Sequence, residues 1–354
     1  MRGFRDRDFV ATPEGLLFCV VGNVHPKERV ISYLKYVPSP AGRWGRKERY
    51  DRSMTAYTMP MLLRNIDNLE REYPAYVFHS DVFGVKMSAV PKVNVAVHFR
   101  PEEKLQELLR AEHPDSLQWS AVELVLLLSE LSDVPPDFFG VTGSILLGIH
   151  REEFSDVDLT VYGYSQSLKV KESLVSAFSA DGASIARLPA QKMEEWAEEK
   201  SRDYPISLQA ARSLYNRKWN YGMFRDRIFS VHPVRVESEV GEEYGDRRFL
   251  SDGMVTVEAT VVETPESLFL PCTYQLENSR VIEGKAIAEP KELTSYEGFY
   301  GGFLSTGEAI RASGKLERVV DRRGGGEYHR ILVGSPEAGG RDYILPRSLL
   351  GGRD

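Results

Sequence analysis

The sequence predicts a mixed α+β protein in three parts: a small α+β domain over residues 1–100, an α/β core with a mixed sheet over 101–241, and an all-β, barrel-like domain over 242–354. Three observations predict it. Short β-branched and apolar runs alternate with turn residues before residue 100, helical repeats begin at Pro101, and a period of two dominates beyond Glu242.

In the first part, the run Gly15 to Val21 reads as a strand entering a turn at Gly22, and Val30 to Val37 as its partner, so a hairpin closes near His25-Pro26. Met61 to Tyr73 reads as a helix stopped by Pro74, with strands at Tyr76 to His79 and Val93 to Phe99. The second part opens with Pro101 and two glutamates in a helical first turn, with Leu105, Leu108 and Leu109 at helical spacing. Trp119 to Leu131 is apolar on nearly all sides, which predicts a helix buried against a sheet and ended by Pro135-Pro136. Strands follow at Phe138 to Val141, Val157 to Tyr162 and Ile228 to Val236, with helices at Ser167 to Phe178 and Lys192 to Lys200 between the last two. In the third part, Val255, Val257, Ala259 and Val261 alternate with polar residues, as do Ile310, Ala312, Gly314 and Leu316; Tyr328 to Val333 adds another strand.

Composition bounds the function. At 354 residues with 42% hydrophobic and 27% charged residues, the chain builds its core without covalent help, and no apolar run is long enough to span a bilayer. The charged N-terminus carries no secretory signal, so a cytoplasmic protein with no membrane partner is expected. Cys19 and Cys272 lie far apart without metal-ligand spacing and read as buried thiols. The net charge of −7 excludes bulk electrostatic coating of nucleic acid. One local exception is Gly42 to Ser53, with five basic, two acidic and two aromatic residues, which reads as a solvated loop or as a surface for bases and phosphates.

The chemistry concentrates between Gly140 and Asp158. The run Gly140-Val-Thr-Gly-Ser144 is followed, after eleven intervening residues, by Asp156-Val-Asp158 on the predicted strand. Glycines let backbone approach a phosphate, and a helix at Ile145 to Gly148 would offer N–H groups, with the Ser144 hydroxyl beside them. Carboxylates two apart on a strand leave the same face and suit one or two divalent ions with oxygen ligands.

These residues resemble the DNA polymerase beta nucleotidyltransferase superfamily, whose pattern is a Gly-Ser turn, a gap of this order, and an acid-hydrophobic-acid strand. The likeness covers Leu117 to Glu237, about a third of the chain. It implies that Gly143 and Ser144 hold the triphosphate of an incoming nucleotide such as ATP. It also implies that Asp156 and Asp158 bind Mg2+ or Mn2+ and carry catalysis. More loosely, the whole chain looks like a group of mostly archaeal predicted nucleotidyltransferases with an N-terminal His-Pro hairpin domain and a C-terminal β domain. That group implies no settled substrate.

Such a site wants a third carboxylate on a neighbouring strand, as metal ligand or general base. On the candidate strand Ser230 and His232 hold the expected positions, while Glu237 and Glu239 lie further along; His232 is a candidate ligand or base. Arg212, Arg217 and Lys218 are candidate phosphate contacts or solvated cations. The expected activity is transfer of a nucleoside monophosphate from a nucleoside triphosphate to a hydroxyl acceptor, with RNA as one acceptor. The alternatives are a non-catalytic nucleotide- or RNA-binding protein on a degenerate core, or a regulatory transferase acting on protein hydroxyls.

Overall fold

The computed structural model describes residues 2–180, 182, 184–285 and 288–350. The chain opens with strands β1 (Phe9–Ala11), β2 (Leu17–Val20), β3 (Arg29–Pro38) and β4 (Tyr50–Arg52), helix α1 (Met59–Glu72), and strands β5 (Val77–Ser80), β6 (Val85–Pro91) and β7 (Val97–Phe99). Helices α2 (Pro101–Leu109) and α3 (Ser116–Ser132) lead to β8 (Phe139–Val141), the single turn α4 (Gly143–Leu146), β9 (Val157–Tyr162), α5 (Tyr164–Ala177) and β10 (Ile185–Ala186). Then come α6 (Ala190–Asp203), α7 (Leu208–Arg217), β11 (Tyr221–Phe224) and β12 (Arg227–Val234). Strands β13 (Arg247–Glu263), β14 (Cys272–Gly284), β15 (Glu292–Ser295), β16 (Ala309–Asp321), β17 (Gly326–Val333) and β18 (Tyr343–Pro346) complete a mixed α+β fold with three sheets.

Contacts group the chain into two compact units. The first comprises Met1–Ser53, Ser88–Leu188 and Trp219–Gly241; the second comprises Met54–Met87, Pro189–Lys218 and Glu242–Asp354. The first unit therefore combines most of the N-terminal segment with most of the central one.

In the first unit one sheet has the order β6-β3-β2-β1-β7, with β4 on β3, and includes the expected hairpin between β2 and β3. A five-stranded sheet has the order β10-β11-β12-β9-β8, in which β9 and β12 run parallel and the other pairs antiparallel. Val157, Leu159 and Val161 are buried on one face of β9, and α3 and α5 pack on that strand. These three residues alternate with Asp158 and Thr160, the period of two that turns Asp158 to the opposite face of the strand. Helix α3 starts at a capping box: the Asp115 carboxylate accepts from Leu117 N at 3.1 Å and Gln118 N at 3.0 Å, while Gln118 Oε1 accepts from Asp115 N at 3.1 Å. It ends at Asp133 in the left-handed region, φ 52°, ahead of the two prolines.

In the second unit the strand order is β13-β14-β15-β17-β16-β18; β13 also pairs with β16, so five strands pair in a ring. Val257, Val261, Tyr274, Leu293, Ile310, Ile331 and Val333 form part of its core, together with residues of α6 and α7.

Several expectations need correction. Helix α3 packs against the sheet as expected, but part of its apolar surface stays uncovered: Trp119, Leu126 and Leu131 are exposed, because the face carrying Leu117, Ala121, Leu124, Val125 and Leu128 is the one that meets the core. Leu109 of α2 is exposed as well, since the buried face of this helix is made by Pro101, Leu105 and Leu108. The strand expected at Val93 to Phe99 begins only at Val97, after a 3-10 turn at Lys92–Asn94, and β6 precedes it. The helix expected at Ile145 to Gly148 is one turn that starts earlier, at Gly143. Among the described residues no helix is long and apolar enough to cross a membrane.

The capping box yields a test. Asp115→Ala removes two acceptor bonds at the α3 N-terminus and should cost about 1 kcal/mol locally. Amide hydrogen exchange at Leu117 and Gln118 should accelerate severalfold; unchanged protection would show that the cap is not what holds this end.

Candidate functional site

The Gly-Ser turn is built by the pairing of β8 with β9. Val141 lies opposite Leu159, and Thr142 N donates to Asp158 O at 2.9 Å, which brings the turn beside the aspartate. At Gly143 the backbone takes φ +67°, a conformation that favours glycine, and a Cβ there would press on Asp158 Oδ2 and displace the carboxylate. Thr142, at the helix N-cap, does not cap: its Oγ1 donates to Arg7 O at 2.7 Å. The first N–H groups of α4 therefore lack a side-chain acceptor from their own cap. Ser144 is buried, and its hydroxyl has no partner among the described residues. Leu146 and Ile149 anchor the segment in a core shared with Phe9, Leu17, Cys19, Tyr36 and Tyr50 of the N-terminal sheet.

Asp156 immediately precedes β9 and Asp158 is its second residue, so both carboxylates leave the same side of the chain. Burial, then the Asp158 charge, pushes the Asp156 carboxyl up to about 6, against the pull of Arg52 and Lys35. Asp158 moves the other way: although burial opposes it, His232, Lys35 and Ser230 hold it well below the usual carboxylate range. Among the described residues no other residue donates a hydrogen bond or an ion pair to the Asp156 carboxylate.

Strand β12 lies parallel to β9, with Ser230 directly beside Asp158 and His232 beside Thr160. Ser230 Oγ donates to Asp158 Oδ1 and lies 2.8 Å from His232 Nε2. His232 Nε2 is 3.8 Å from Asp158 Oδ1, too far for a hydrogen bond, so the serine bridges them. Burial, followed by the Arg7 charge, lowers the His232 pKa to about 4, which leaves the ring neutral near pH 7.

The structure does not bring the other candidates here. Glu237 and Glu239 lie beyond the end of β12. Glu237 accepts from Arg5 Nε and Gly3 N, each at 3.0 Å, and the Arg5 hydrogen bond lowers its carboxyl to about 2; Glu239 accepts from Tyr164 N at 2.8 Å, at the start of α5. Arg212 pairs with Glu194, and Arg217 with Glu308 at 2.7 Å. Lys218 is buried, donating to the carbonyls of Gly298, Phe299 and Gly301, and burial lowers its pKa to about 8. The last three belong to the second unit, and the described partners of Arg217 and Lys218 lie there too. His150 binds Asp115 at 2.7 Å at the α3 cap.

The loop Gly42 to Ser53 is fastened beside the acid strand. Gly45 N donates to Ile149 O at 2.7 Å, Arg46 pairs with Glu152 at 3.0 Å, and the Trp44 ring meets Phe154 edge-on at 5.7 Å. Phe154 is exposed, two residues before Asp156.

As a donor set, Asp156 and Asp158 suit a hard divalent cation: two crowded carboxylates, one of them without a hydrogen bond from another described residue, gain from a shared positive charge. Among the described residues, however, no three or more His, Cys, Asp or Glu side chains converge as metal ligands.

The chain is 29% identical over 349 residues to an uncharacterised protein of Methanocaldococcus jannaschii, covering 96% of this chain and 98% of that one. No family model matches it. No solved structure matches it either.

The raised Asp156 pKa predicts an unusual stability change. The folded value, about 6, lies above the reference 3.8, so the native state binds the extra proton between them; the penalty is complete above about pH 6 and is relieved as pH falls. Asp156→Asn should therefore stabilise the protein at pH 8 by roughly 1 to 3 kcal/mol and by much less at pH 4.5. Thermal melting at both pH values checks this; destabilisation at pH 8 would mean that the carboxylate is satisfied.

Proposed function

We propose that the first unit is a metal-dependent nucleotidyltransferase, which transfers a nucleoside monophosphate from a nucleoside triphosphate to a hydroxyl acceptor and releases pyrophosphate. The observation that carries this reading is the meeting of the Gly143–Ser144 turn with Asp158 across adjacent strands, at a glycine whose positive φ lets the backbone come close to that carboxylate. Phosphate-binding backbone and metal-binding carboxylates then face one space. Asp156 and Asp158 would hold Mg2+ or Mn2+, which when bound supplies charge neutralisation for the leaving pyrophosphate and for the attacking oxygen. In the reaction the acceptor oxygen bonds to the α-phosphorus, the bond to the pyrophosphate oxygen breaks, the leaving group departs as pyrophosphate, and the acceptor proton passes to solvent water.

RNA is the acceptor we favour. The loop Arg43 to Arg52 sets cations and the Trp44 and Phe154 rings at the entrance to the acid strand, a combination that suits a single strand. The strand ring of the second unit reads as a small barrel, an architecture that often presents a face to single strands.

One observation favours a second reading, a non-catalytic nucleotide- or RNA-binding protein. The place of a third carboxylate is taken by Ser230 and by His232, and a histidine near pKa 4 is a weak base.

The test is incubation of the full chain with labelled nucleoside triphosphates, Mg2+ or Mn2+, and total cellular RNA. Metal-dependent labelling of RNA is expected, reduced about 100-fold or more in Asp156→Ala and Asp158→Ala. Nucleotide binding without any labelled product supports the second reading, and label on protein moves the acceptor to a protein hydroxyl.

A further inference from the structure

Three cations of the N-terminal sheet and its turns lie within electrostatic reach of one or both members of the acid pair. In the pairing of β2 with β3, Leu17 opposes Tyr36 while Phe18 opposes Leu34, so Lys35 is the extra residue of a β-bulge. Bulges re-aim side chains and occur beside active sites. Lys35 Nζ stands 5.3 Å from the Phe9 ring centre and 5.9 Å from that of Tyr36, both in the core that anchors Leu146 and Ile149. From there its charge acts on Asp156, Asp158 and His232. Arg52 lies on β4 opposite Tyr36, with its guanidinium 4.8 Å from the Trp44 ring centre, and its charge acts on Asp156.

Arg7 is the third. Its backbone sits at φ 68°, a conformation that L side chains rarely adopt and that is kept where surrounding contacts enforce it. Its carbonyl accepts the Thr142 hydroxyl, which ties this strained residue to the Gly-Ser turn. Its buried Nε makes no hydrogen bond, although Asp6 Oδ2 lies 3.3 Å away. The charge of Arg7 acts on Asp158 and His232.

A divalent ion on the aspartates would change what these cations face, from two carboxylates to a neutralised or positive centre. An anion between the ion and the cations restores complementarity, and a planar guanidinium suits phosphate oxygens in particular. We propose that Arg7, Lys35 and Arg52 form a polyphosphate-binding wall that holds the terminal phosphates of the nucleoside triphosphate, an inference that rests on the transferase reading of the same site. The N-terminal sheet is then one half of the site, and the Gly143–Ser144 turn the other.

Calorimetric titration of the full chain with inorganic tripolyphosphate in Mg2+, and separately with Mn2+ alone, tests the wall. Arg52→Ala is the first variant because that side chain is exposed, and Lys35→Ala the second, each checked by thermal melting. Each should weaken tripolyphosphate binding about 10- to 100-fold while Mn2+ binding is retained or tightened. Tripolyphosphate affinity unchanged in both variants overturns the wall. Binding that depends on Lys35 and Arg52, with no transfer from any nucleoside triphosphate, keeps the wall and removes the transferase reading. Transfer that needs Asp156 and Asp158 but neither cation does the reverse.

Discussion

Two carboxylates leave one side of the chain at the start of strand β9, and their mutual repulsion is the constraint that the groups around them answer. Asp158 is the one kept ionised, with Ser230 donating to it and the cations of the N-terminal sheet within electrostatic reach. Asp156 bears the cost: its carboxyl is pushed up to about 6 by burial and by Asp158, and no neighbour compensates it with a hydrogen bond. Structures tolerate such unsatisfied charge chiefly where it serves binding or chemistry. A carboxylate pair needed only for folding would gain by losing one member.

The architecture supplies what this arrangement requires. Strand β9 lies between β8 and β12, so Asp158 is approached from one side by the Gly143 turn and from the other by Ser230. The short helix that follows the turn is pinned through Leu146 and Ile149 to the aromatic and apolar face of the N-terminal sheet. That sheet carries Lys35 on a bulge and Arg7 in a strained turn bonded to Thr142. Arg7 is one of four described non-glycine residues at positive φ, with Asp133, Arg225 and Asn278, and the one whose carbonyl is bonded to the Gly-Ser segment.

How much of this was legible in the sequence follows from the range of the interactions. Gly143, Ser144, Asp156 and Asp158 could be read because a turn residue and a period-two acid pair are local patterns. Helix α3 could be placed by its apolar run and its terminating prolines, but its exposed Trp119, Leu126 and Leu131 could not be told from core residues, since hydropathy does not reveal which face finds a partner. Lys35 was invisible: its direction depends on a bulge, which exists only once β2 and β3 have paired. Arg217 and Lys218 looked suitable for phosphate by charge and position, yet Glu308 and the carbonyls of Gly298 to Gly301, distant in sequence, engage them. Glu237 was similarly unreadable, because the partner that takes it, Arg5, lies 232 residues away in sequence.

The most direct test of the central claim is the position of a metal in a crystal of this protein grown with Mn2+ and a non-hydrolysable nucleoside triphosphate analogue, located by anomalous scattering. The account predicts manganese bound by oxygens of both Asp156 and Asp158 at about 2 Å, with a phosphate oxygen on the Gly143–Ser144 side. Manganese absent from the pair, with the nucleotide bound elsewhere, would contradict it.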